Sequence, residues 1–343
     1  MPDAIRSIRT SSRSRRIAGA ALAGGLLLTA APSTAMAATA FVTHTPQPNG
    51  NVTSTAVFRA APGEINNVRV HEVNRERFDF RDSGRTIIPG PGCRRQGSAV
   101  RCTPRSSATT NVAPASVNTN NLNDDIDIVR GRASVNGGSG NDELTTGAGV
   151  PGTLSGSSGN DLITVANNSQ AGQTLNGGSG NDVLNGGPEG DSIAGGTGDD
   201  RIGAEGGNDT ADGDPGDDNI LGGDGRDQLR GDFGNDRILG NNGRDRIRGQ
   251  QGADRIAGGN NNDRLGGGPG RDKLWGNGSN DLLVGNSNRD RYRAGPGNDV
   301  VRSVDGIRER VNCGTGFDRA TIDRRPMDIT AFCNRIRRVT FRR

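Results

Sequence analysis

Gly177-Gly178-Ser179-Gly180-Asn181-Asp182-Val183-Leu184-Asn185 is one unit of a nine-residue pattern, and its repetition decides how the chain folds. Fourteen aspartates succeed one another at intervals of nine without a slip: Asp182, Asp191, Asp200, Asp209, Asp218, Asp227, Asp236, Asp245, Asp254, Asp263, Asp272, Asp281, Asp290 and Asp299. Two places after each stands an apolar residue, from Leu184, Ile193 and Ile202 through to Leu283, Tyr292 and Val301; only Ala211 is small. Glycines gather just ahead of each aspartate. A strict period of this length marks a stacked repeat, in which each unit buries its apolar residue only against its neighbours. The glycines suit a tight turn with positive φ, which a Cβ resists. The residues after the aspartate suit a short strand with the aliphatic side chain turned inward.

Written as G-G-x-G-x-D-x-U-x, with U aliphatic, the unit resembles the RTX family of calcium-binding repeats. The resemblance covers about 180 residues. It implies an all-β fold, a right-handed parallel β-roll with two nonapeptides per coil. It also implies Ca2+ held by aspartate carboxylates and glycine-rich carbonyls of adjacent coils, in keeping with calcium's demand for six to eight oxygens. The ligands expected on that basis are Asp142, Asp161, Asp182, Asp191, Asp200, Asp209, Asp218, Asp227, Asp236, Asp245, Asp254, Asp263, Asp272 and Asp281. With them come the glycines five and two places earlier, here Gly177 and Gly180, Gly195 and Gly198, Gly213 and Gly216, and Gly231 and Gly234. Stacked carboxylates repel without metal, so binding and folding should be coupled.

The first coils are irregular. Asp124, Asp142, Asp161 and Asp182 are spaced by 18, 19 and 21 residues, two units apiece, and carry the acidic loop on one edge only. That edge, called edge one, continues through Asp200, Asp218, Asp236, Asp254, Asp272 and Asp290; the alternate aspartates form edge two. From Asp142 onward, edge one keeps both glycines before every aspartate except Asp290, which has Asn288. On edge two only Asp227 and Asp245 keep both, the others being altered by Glu189, Ala204, Asn261, Ser279 and Ala294. Edge one should therefore bind calcium more completely.

Outside the repeats, residues 1–37 read as an export leader. Arg6, Arg9, Arg13, Arg15 and Arg16 precede an apolar run from Ile17 to Ala31, and Ala35-Met36-Ala37 offers a small-residue cleavage site. The run is too short and glycine-broken for a membrane span. Residues 38–120 lack the repeat, show strand-like alternation at Val68, Val70, Phe78 and Phe80, and read as a small β-rich cap. The repeats occupy 121–302, and 303–343 is a closing segment with an arginine-rich end. Four cysteines suit an oxidising compartment. Three pairings are formally possible, and sequence proximity favours Cys93 with Cys102 and Cys313 with Cys333.

Charge divides the repeats. From Asp182 to Asp236 there are 15 acidic and 3 basic side chains; from Arg237 to Arg302 there are 7 and 12. Arg237, Arg246, Arg255, Arg264 and Arg291 directly follow loop aspartates and offer an alternative to calcium as their counter-charge. The segment Asp212-Gly213-Asp214-Pro215-Gly216-Asp217 mimics an EF-hand but has Asp217 for the turn glycine and Gly223 for the closing Glu. No HExxH or GxSxG motif is present, and His44 and His71 are the only imidazoles, so an enzyme is not expected. The reading is a secreted or surface-associated bacterial calcium-binding structural protein, whose basic tail could meet anionic cell-envelope polymers; no nucleic-acid partner is expected. The alternatives are a secretion and folding module of an exported enzyme, or an ice- or polymer-binding adhesin, for which regular outward threonine ranks are missing.

Overall fold

The computed structural model describes residues 38–339, apart from 47–51, 83–86, 103–109, 148–151, 324–327 and a few shorter gaps. The expected leader and its cleavage site lie outside the described residues. Every regular element among the described residues is a β-strand. Each nonapeptide makes one short strand and one turn, and successive strands of the repeats alternate between two sheets, of 17 and 16 strands among the described residues. Residues 18 apart therefore lie in register on neighbouring coils, as Ile220, Ile238 and Ile256 do on one sheet and Leu229, Ile247 and Leu265 on the other. The all-β parallel roll with two nonapeptides per coil is as the repeat requires.

Side-chain parity explains the core. In a strand, positions i, i+2 and i+4 face one side. Here those positions are the aspartate, the aliphatic residue and a glycine, and all three turn inward. In Arg237–Asn242, for example, Ile238 and Gly240 are buried, as is Asp236 just ahead, while Arg237 is exposed. The apolar core is thus one column per sheet, Leu, Ile or Val except at Ala211, Tyr292 and Ala320, flanked by buried carboxylates and by glycines that let the two sheets approach. Ile238 lies fully buried between Ile220 and Ile256. Ile238→Ala is expected to cost about 2–5 kcal/mol, visible as a lower midpoint in thermal unfolding followed by circular dichroism in calcium.

Both ends depart from this pattern. At the start, Thr39–Pro46 and Val52–Arg59 form an antiparallel hairpin whose second strand pairs in parallel with Ala115–Asn118, the first strand of its column. A second hairpin, Asn67–Asn74 with Arg77–Asp82, pairs in parallel with Asp125–Arg130 through its first strand. Phe58 of the first hairpin and Phe80 of the second, both fully buried, stack 6.1 Å apart. The Cys93–Cys102 disulfide closes the small antiparallel pair Cys93–Gln96 and Ala99–Cys102. At the other end parallel stacking runs on past Val301 through Arg310–Thr315, Arg319–Asp323, Ile329–Ala331 and Arg335–Val339. There the Cys313–Cys333 disulfide ties the last coils together. Both local cysteine pairings are therefore formed.

Candidate metal centre

The aspartates are the functional groups the fold positions most closely. All fourteen, Asp182 to Asp299, are at most 4% exposed. One oxygen of each has a partner: the backbone N–H of an aspartate donates to Oδ1 of its equivalent one coil later. Asp182 donates to Asp200 at 2.7 Å, Asp200 to Asp218 at 2.8 Å and Asp236 to Asp254 at 2.9 Å. On edge two Asp191 donates to Asp209 at 2.6 Å and Asp227 to Asp245 at 2.9 Å. Two continuous carboxylate ladders result, one along each edge.

The second oxygen is different. Oδ2 of Asp142, Asp161, Asp182, Asp200, Asp209, Asp218, Asp227, Asp236, Asp245, Asp254, Asp263, Asp272, Asp281 and Asp299 is buried with no hydrogen-bond partner. Only Asp191, which accepts from the Gly187 N–H, and Asp290, which accepts from the Tyr292 hydroxyl, escape this. What Oδ2 faces is set by the glycine five places earlier. A Cβ at Gly222 would come within 2.5 Å of Asp227 Oδ2 and 2.8 Å of the Gly240 carbonyl one coil on. At Gly186 the neighbours are Asp191 Oδ2 at 2.7 Å and the Ala204 carbonyl at 2.6 Å. Gly177, Gly195 and Gly213 face the same pairing of carboxylate and next-coil carbonyl, and Gly231 faces the carboxylate of Asp236. At Gly177, Gly195, Gly213 and Gly222 a partnerless Oδ2 and a carbonyl thus converge, whereas at Gly186 the Gly187 N–H already donates to Asp191 Oδ2.

Gly180, Gly198, Gly216 and Gly234 serve a second purpose. A side chain there would strike the carbonyl of Gly159, Gly180, Gly198 and Gly216 respectively on the preceding coil. These glycines set how closely the coils stack.

Electrostatics agrees with the geometry. Burial raises the aspartates well above the usual carboxylate range, opposed by the N–H bond to Oδ1 and added to by repulsion between rungs. Asp200 and Asp245 rise to about 6, Asp218, Asp236, Asp254 and Asp272 to about 7, and Asp263 to about 8. Buried acceptor pairs of this sort call for a proton or a cation. Arginine does not supply it. Arg237, Arg246, Arg255, Arg264 and Arg291 are all exposed, and the three ion pairs among the described residues are Arg69–Asp127, Arg101–Asp79 and Arg230–Asp212. The residue after each aspartate has opposite parity and points out of the roll, so its charge cannot reach the ladder.

No three His, Cys, Asp or Glu side chains converge among the described residues. A cation at these turns would therefore combine carboxylates with main-chain carbonyls, a donor set of oxygens alone that suits calcium and not zinc.

The two edges carry equivalent ladders but unequal cradles. Ala204 and Ala294, both fully buried, stand where the glycine gap beside Asp209 and Asp299 would otherwise be. Asn261, Ser279 and Asn288 replace glycine yet keep positive φ, at 75°, 79° and 80°. The ladders also outrun the aspartate motif. On edge one Asp290 donates to Glu309 and Glu309 to Asp328; on edge two Gln173 donates to Asp191, and the chain Asp299, Asp318, Asn334 ends the series. Gln173, Glu309 and Asn334 escape a search for aspartate, although Leu175, Val311 and Ile336 two places on mark their positions. A further rank was also missed: the residue just before each aspartate. Here the bonds run the other way, as from the Asn235 N–H to Asp217 Oδ1 and from the Asn298 N–H to Asn280 Oδ1.

Fold and ladders together define a parallel β-solenoid with a ladder of buried carboxylates along each edge. Residues 129–150, and 176–301 in overlapping copies, match the family described as the RTX calcium-binding nonapeptide repeat. Those residues thus carry several copies of an RTX-type repeat, and such repeats bind Ca2+ ions, several where the copies are many. No curated protein matches the chain. No helix among the described residues is long and apolar enough to cross a membrane.

Proposed function

We propose that this is an exported, structural calcium-binding protein whose roll orders when it meets extracellular calcium. The supporting observation is the repeated juxtaposition of a partnerless buried carboxylate oxygen with a carbonyl of the next coil. Asp142, Asp161, Asp182, Asp200, Asp218, Asp236, Asp254 and Asp272 on edge one would hold the ions, with the carbonyls of the glycine-rich turns. Asp191, Asp209, Asp227, Asp245, Asp263 and Asp281 would do so on edge two. Bound calcium supplies the positive charge that the stacked carboxylates lack. In this division residues 1–37 are a removable leader, 38–120 the cap, 121–302 the roll and 303–343 the closing segment. Exposed Arg335, Arg337 and Arg338 would let the far end contact anionic envelope polymers.

Calorimetric calcium titration of Asp200→Ala and Asp209→Ala tests the ligand assignment. Asp200 has an open glycine cradle and Asp209 has Ala204 in its place, so the first substitution should remove more bound calcium than the second. Equal losses at the two positions would refute the inequality of the edges. No loss at either would refute the ligand set.

A further inference from the structure

The residues immediately before the edge-one ladder positions form one exposed rank, in which Asn141, Asn160 and Asn181 lead into Asp199, Asp217, Asn235, Ala253, Arg271 and Arg289, with Arg308 next. Stacking holds the stretch from Asp199 to Ala253 in line, since the Asp217 N–H donates to Asp199 Oδ1 at 2.9 Å, that of Asn235 to Asp217 at 2.7 Å and that of Ala253 to Asn235 at 2.9 Å. From Asp199 to Arg289 its charge runs acid, acid, neutral, neutral, base, base. Turned end for end, that six-residue stretch is its own electrostatic complement, and the flanking Arg308 falls opposite neutral Asn181. Asp199 then meets Arg289, Asp217 meets Arg271, and Asn235 meets Ala253. A common coil spacing, about 4.8 Å, keeps all these pairs in register at once.

The rest of the edge favours the same pairing. Phe233, two places before Asn235, is 57% exposed and sits beside the centre of reversal, opposite Gln251 of a reversed copy. An exposed aromatic amid charged flanks is the usual make-up of an interface centre. Moreover, all seven acidic residues between Arg237 and Arg302 are buried ladder aspartates. Arg271 and Arg289 therefore have no exposed carboxylate of their own half to pair with.

We infer that edge one is a self-association surface, on which two copies of this chain lie antiparallel about a twofold axis between the Asn235 and Ala253 coils. Such an interface is isologous, so each charge pair occurs twice. It is held by exposed ion pairs and is accordingly salt-sensitive.

Sedimentation velocity of the calcium-loaded protein decides the matter. At about 20 mM salt the particle should have twice the monomer mass, and at about 500 mM it should be monomeric. Arg271→Glu with Arg289→Glu should abolish the dimer, and so should Asp199→Arg with Asp217→Arg. All four changes together restore complementarity and should restore the dimer. The rank already tolerates Asp, Asn, Ala and Arg at equivalent positions, and circular dichroism will confirm that each variant keeps its β content. A monomer at low salt, dimers that ignore the double reversals, or a fourfold variant that stays monomeric would each overturn the proposal. Wild type that stays monomeric but binds a soluble polyanion such as dextran sulfate would overturn it too, in favour of a polyanion site.

Discussion

Withdrawal of calcium at pH 7.5 is expected to unfold the repeat region, with loss of most of the β signal between Asp142 and Asp299. Each coil orders eighteen residues around two aliphatic side chains and two buried carboxylates, and a partnerless Oδ2 opposes that ordering at nearly every rung. Ionised carboxylates cannot be buried in such numbers without a counter-charge. The exposed arginines do not supply it. An ion that binds only the folded roll adds stability as RT ln(1 + [Ca2+]/Kd) for every occupied site, so several sites make folding steep in calcium. Circular dichroism during a calcium titration of chelated protein measures this. A roll that keeps its full β content in excess chelator would refute the coupling.

Acidification should then rescue the metal-free chain. Burial penalises the charge of the folded aspartates and raises them above the ordinary 3.8, Asp200 to about 6, Asp218 to about 7 and Asp263 to about 8. Between about pH 4 and 8 the folded roll thus holds more protons than the unfolded chain, and its stability falls as pH rises through that window. Chelated protein that is unstructured at pH 8 should gain β content towards about pH 5. With calcium present the sign reverses, since the ion holds the same carboxylates ionised and acid displaces it. Denaturant titrations at pH 5 and 8, with and without calcium, should give slopes of opposite sign. Parallel slopes would show that these carboxylates are not the linked groups.

Much of this architecture was legible from the period alone. An aliphatic residue recurring every ninth position, always two places after aspartate, can be satisfied only by stacking equal coils, and the glycines ahead of it can only be turns. The cysteine pairs were local and formed as such. The parity of the aspartate was harder to see. A glycine-rich turn suggests a solvent-facing acidic loop, yet the aspartate shares the inward face with the aliphatic residue two places later. The same parity turns the following arginine outward, so composition alone overstated its capacity to neutralise the ladder. Gln173, Glu309 and Asn334 escaped because the ladder needs an acceptor side chain, not aspartate in particular.

The chain's own order of residues thus decides its period, the alternation of inward and outward positions, and where turns can form, since these depend on neighbours a few bonds apart. Only stacking decides which N–H meets which carboxylate, that Oδ2 faces a carbonyl thirteen residues further on, as Asp227 faces Gly240, and that Asp199, Asp217, Arg271 and Arg289 fall on one line. Those contacts join residues on different coils, and no local rule can place them until the coils lie one upon another.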